Sequence, residues 1–103
     1  MNTEYFVELD DVSDDRMHVR FTTRGHDITD YAVLLTVERD GERHTVRLYD
    51  AAHGVNEMHR YSRTLGKQPP EVFHSGTLGE GMRAAIEQIK RTYQSMIEAW
   101  QAR

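Results

Sequence analysis

The chain is 103 residues long, the size of one domain with one core. It contains no cysteine, which excludes disulfides, cysteine-ligated zinc and thiol catalysis. Formal net charge is −4 with 29% charged residues, a balance that keeps a small domain soluble and disfavours broad, non-specific binding of nucleic acid.

Residues 4–9 put Tyr5, Val7 and Leu9 on one face, the pattern of a first strand. Residues 10–15 form an acidic turn. Residues 16–24 alternate, with Met17, Val19, Phe21 and Thr23 facing one way and Arg16, His18, Arg20, Thr22 and Arg24 the other. That is a strand with one wet face, and the arginines make a basic stripe that the nearby aspartates partly neutralise. Residues 25–29 are expected to form a loop. Asp40-Gly41 lies between two β-rich runs and predicts a two-residue type I′ hairpin turn. The register that follows pairs Arg39 with Glu42, Glu38 with Arg43, Val37 with His44, Leu35 with Val46, Val33 with Leu48 and Tyr31 with Asp50. It gathers the apolar residues of both strands on one face.

Residues 51–57 read as a connection turning at Gly54, residues 58–61 as a short strand and residues 62–70 as a polar loop. Pro69-Pro70 forbids helix there and leads into a last edge strand over 71–74. Thr77-Leu78-Gly79-Glu80 has the form of a capping box. Beyond it Leu78, Met82, Ile86, Ile89, Tyr93, Met96, Ile97 and Trp100 recur at steps of three or four, one apolar stripe on a helix. Gly79 and Gly81 each weaken its first turn by roughly 1 kcal/mol relative to Ala. At ~1.5 Å per residue the helix is about 35 Å long, against ~17–20 Å for a usual strand. Tyr93, Ile97 and Trp100 are therefore expected to overhang the sheet as a homodimer or partner surface, the alternative being that they pack on the N-terminal strand. The fold class is α+β: a single domain over 1–103, an antiparallel β-meander sheet of about five to six strands packed against one long C-terminal helix.

Reactive side chains are densest from Tyr49 and Asp50 through His53, Gly54, Asn56, Glu57, His59, Arg60, Tyr61 and Arg63, around a strand end and a glycine turn. One reading makes Asp50, His53 and His59, with Glu57 or His74, metal ligands. Their spacing matches no ligand motif, and no metal or cofactor is expected. A second makes His53 and His59 the acid and base of an RNA-directed hydrolase, Arg60 and Arg63 its phosphate clamp, and Tyr61 a stacking platform. A third gives these residues capping, packing and solvation roles, alone or within a binding surface formed by Asp50, Arg60, Tyr61 and Arg63. Elsewhere, His44 reads as a rim-of-core histidine. His74 and Thr77 flank a helix N-terminus where an anion could sit.

At Tyr49-Asp50, His53-Gly54 and His59-Arg60-Tyr61 the chain resembles small bacterial proteins of the TumE-like toxin class. The resemblance covers roughly residues 31–100. It implies a β-meander ending in Tyr-Asp, a histidine-bearing loop, another short strand and a C-terminal helix. By implication the chain is the toxin half of a toxin–antitoxin pair or a related accessory protein. Ala51 stands where those toxins tend to carry a polar amide, and His59 is alone where a His-x-His is usual.

The expectation is thus a small prokaryotic binding or toxin-like accessory protein that meets a protein or RNA partner through residues 50–63. An RNA-directed hydrolase using His53 and His59, and a homodimeric structural protein, are the alternatives. The chain shows no basic stretch followed by an apolar run at its start. Its longest apolar run, residues 32–35, is far too short for a bilayer, so a cytoplasmic location away from membranes is expected.

Overall fold

The computed structural model describes residues 1–102. Alternation of apolar and polar residues builds β1 (Asn2–Asp10), β2 (Asp15–Arg24), β3 (Asp27–Arg39), β4 (Glu42–Asp50) and β5 (Asn56–Ser62). These run as an antiparallel meander in spatial order β1-β2-β3-β4-β5. The two-residue β6 (Gly66–Lys67) and β7 (Glu71–His74) share the outer edge of β5, making seven strands. The single helix α1 (Leu78–Gln101) then crosses one face of the sheet. No helix among the described residues is long and apolar enough to cross a membrane.

Two local differences from the expected strands have simple causes. The segment 25–29 is not a loop: Arg24 pairs with Asp27 across a two-residue turn, which Gly25 permits by taking a φ of 63°. The β3–β4 register begins as expected, Arg39 with Glu42 through Thr36 with Thr45, and then slips at a bulge. Beyond it Leu35 meets Arg47, Leu34 meets Leu48 and Val33 meets Tyr49. The extra residue lets Val46 and Tyr49 both point inward, so Tyr49 takes the core position that strict alternation gives to Leu48. Burying the larger aromatic surface outweighs the lost ladder regularity.

Met17, Val19, Tyr31, Val33, Leu35, Val37, Val46 and Tyr49 form the sheet half of the core, and Met82, Ala85, Ile89, Met96, Ile97 and Trp100 form the helix half. The expected overhang is absent. Ile97 is 6% exposed and Trp100 only 3%, and the Tyr93 hydroxyl donates to the Leu9 carbonyl at 3.2 Å. Thr92 leaves helical geometry at φ −129°, while its hydroxyl donates to the Gln88 carbonyl at 2.7 Å. Such back-bonding bends helices, and the turns beyond this bend lie on the sheet. Ile97 and Trp100 are thus covered by this chain itself, and Tyr93 is half-buried against the same core.

The capping box forms as the sequence predicts: Glu80 N donates to Thr77 Oγ1 at 3.1 Å and Thr77 N donates to Glu80 Oε1 at 2.8 Å. Thr77→Ala is expected to lower stability by about 1 kcal/mol, read as a lower urea midpoint with unchanged slope. The Thr77 backbone N–H, with help from the Thr77 hydroxyl, holds the Glu80 carboxyl below its ordinary value of 4.5. That contribution is fully present above the unfolded value and is lost as pH falls through the depressed one. Glu80→Gln should flatten the acid limb of the stability profile, and an unchanged limb would refute this.

Candidate functional site

The helix covers one face of the sheet and leaves the other open. Strand register places a continuous row across that open face: Phe6 beside His18, His18 beside Leu34, Leu34 beside Leu48, and Leu48 beside His59. Phe6 is 61% exposed and stacks flat on His18, ring centroids 4.3 Å apart and planes 12° from parallel. His18 Nε2 lies 2.6 Å from Glu4 Oε2, which fixes the imidazole under the ring. A parallel row runs Glu4, Arg20, Ala32, Asp50, Glu57.

The basic stripe on β2 is neutralised at Arg16 and His18, while Arg20 and Arg24 take part in no ion pair among the described residues. Arg16 Nε is 2.7 Å from Glu8 and its Nη2 is 3.2 Å from Asp14. Asp14 also accepts from Arg43 at 2.8 Å, while Asp10 accepts from the Val12 and Ser13 amides and so closes the acidic turn on itself. These two backbone donors hold the Asp10 carboxyl below its usual range.

Residues 50–63 divide among several local contacts. Asp50 faces Glu57 across the β4–β5 ladder, two carboxylates directly opposite one another. His53, 69% exposed on the connecting loop, relieves that repulsion: its Nδ1 lies 2.5 Å from Glu57 Oε1. His59 is buried instead, with Nδ1 3.0 Å from the Gln68 carbonyl. The two imidazoles therefore have separate partners. Arg60 is paired with Glu71, and Arg63 is 3.1 Å from Asp40 while its guanidinium lies 5.5 Å over the Trp100 ring. Tyr61 is half-buried; burial, and then the Asp50 charge, push its hydroxyl pKa up.

No group of three or more histidines and carboxylates among the described residues could hold a metal ion. The helix N-terminus beside His74 is likewise filled, by the Glu80 carboxylate of the capping box. His44 does sit at the rim of the core, tilted on Trp100 at 5.4 Å.

Two features escaped sequence reasoning. Asn56, 2% exposed, accepts from the Tyr31 hydroxyl at 2.8 Å and donates to the Gly76 and Thr77 carbonyls at 3.1 Å each. It thereby ties β3 and β5 to the start of α1. A polar residue in a predicted connection carries no sequence mark of such a role. The second is a groove of ≈320 Å³ between the end of α1 and the β4–β5 pair. Arg47 and Arg60, cross-strand neighbours, lie along it, and Met96, Ala99 and Trp100 form the helix side. Burial raises the pKa of the Tyr49 hydroxyl, and its contact with the Arg47 side chain, together with the Arg47 and Arg60 charges, pulls it back. The bulge in β4 is what turns Arg47 to this side, so strict alternation along the strand hides it.

No curated protein and no solved structure matches the chain. A family model matches across residues 1–103, and the chain belongs to that family, described as Domain of unknown function (DUF7718).

Proposed function

We propose that this member of the DUF7718 family is a non-catalytic binding module that takes a protein partner on the open face of its sheet. In this reading it acts in the cytoplasm of a prokaryotic cell as a toxin-like or accessory protein, and residues 50–63 border the contact surface. The observation that carries the reading is the row Phe6, His18, Leu34 and Leu48 on the uncovered face, with the Phe6 ring 61% exposed. An apolar and aromatic centre rimmed by charge is the usual anatomy of a protein interface. Glu4, Arg20 and Asp50 stand along one margin, a charged rim of mixed sign. RNA fits less well at residues 50–63, because Arg60 and Arg63 are engaged by Glu71 and Asp40.

The test is positional. A photo-crosslinking side chain at Phe6 is expected to trap a discrete protein in growing cells, while the same group at Arg91, on the outer side of α1, traps none. Equal capture from both positions, or capture of RNA from Phe6, would defeat the proposal.

One observation favours a second reading, the RNA-directed hydrolase. With Nδ1 held at Glu57, the exposed His53 keeps Nε2 free of protein partners among the described residues, the posture of a general base. RNA cleavage by purified protein that disappears in His53→Ala and survives in His59→Ala would support it. Absence of cleavage in the wild type would remove it.

A further inference from the structure

We infer that the groove between the end of α1 and the β4–β5 pair is a binding site for a small organic carboxylate with an apolar body, held by Arg47. Arg47 and Arg60 stand directly opposite each other in the β4–β5 ladder, a like-charge pairing that destabilises a sheet unless something offsets it. Glu71 is the carboxylate on the groove wall, and it is committed to Arg60. Arg47 takes part in none of the ion pairs among the described residues. Its side chain touches the Tyr49 hydroxyl, while its Nε is buried and has no hydrogen-bond partner. A buried Nε–H without an acceptor is unfavourable, and the Arg47 side chain that carries it lines an open volume of ≈320 Å³.

The groove also has the composition of a small-molecule site: convergent polar groups on one side and an apolar wall on the other. Ser62 and Gln68 stand with the arginines, and Met96, Ala99 and Trp100 face them. The planar guanidinium fork fits a carboxylate through two parallel hydrogen bonds. The Trp100 and Met96 side chains suit an aromatic or aliphatic body, which a bare inorganic anion lacks. The site lies on the helix-covered side, so it is separate from the open face proposed for a protein partner.

Trp100 is the chain's one tryptophan, so the site carries its own reporter. Benzoate titrated into the wild-type protein is expected to change Trp100 fluorescence saturably and to raise the melting temperature. Benzyl alcohol, the neutral counterpart, is expected to do neither. Arg47→Met should weaken benzoate binding about tenfold or more, the loss of a charge-assisted hydrogen bond. The substitution removes an uncompensated charge, so the fold should survive with little change in melting temperature. Arg91→Met, at an exposed helix position, should bind benzoate as the wild type does. A linear, unsaturable response to benzoate would overturn the inference. So would equal responses to benzoate and benzyl alcohol, equal affinity in Arg47→Met, or saturation by inorganic phosphate in place of benzoate.

Discussion

Gly81→Ala is expected to destabilise the domain, even though alanine is the better helix former. In an open helix the exchange would gain about 1 kcal/mol. Here a Cβ at position 81 would be driven into the Asn56 side chain. Asn56 cannot step aside cheaply, because Tyr31, Gly76 and Thr77 all hold its amide. Overpacking of this kind outweighs the propensity gain and leaves a net loss of about 2 kcal/mol, which at this chain length lowers the melting temperature by roughly 8–15 °C. Gly79→Ala is the control. Its added Cβ would meet nothing nearer than the flexible end of Arg83 at 3.6 Å, so a modest gain is expected. Thermal melts of the two variants should therefore move in opposite directions. A stabilised Gly81→Ala would mean that Asn56 does not clamp the start of the helix.

Trp100→Ala should be the most damaging single truncation of the helix, at roughly 3–5 kcal/mol. Trp100 is nearly fully buried, packs beside His44 and lies under the Arg63 guanidinium. Since small domains have only about 5–15 kcal/mol of stability, the variant should be close to unfolding at 37 °C. Denaturant titration measures the loss, and light scattering separates it from a dimer effect. With the ring covered by its own sheet, the variant should have the same oligomeric state as the wild type wherever it is folded. A wild-type dimer that becomes a folded monomer in Trp100→Ala would restore the helix end as an interface.

Both results bear on function through the same geometry. Asn56 anchors the start of α1 and Trp100 its end, and between them the helix is pinned to one face only. What remains for a partner is the opposite face and its Phe6–His18 stack. What remains for a small ligand is the seam where the helix end meets Arg47 and Arg60.

The candidate site was less legible than the fold. Its residue types were visible around the β4–β5 connection, but their roles were set by partners distant in the chain. Gln68 takes His59, Glu71 takes Arg60 and Asp40 takes Arg63, at separations that no spacing rule encodes. His53 is exposed, and its partner Glu57 is four residues away on the same hairpin.

The sequence by itself determined whatever depends on short-range periodicity and local capping: the alternating strands, the Asp40-Gly41 turn, the Thr77 capping box and the apolar stripe of α1. Side-chain alternation and backbone capping act within a few residues, so they can be read along the chain. Only the tertiary structure decided the bulge that turns Tyr49 inward, the bend at Thr92 that lays Trp100 on the sheet, and the engagement of Asn56 with Gly81. Each is a contest between local regularity and the burial of a particular side chain against a distant neighbour. Its outcome is fixed when the two layers meet.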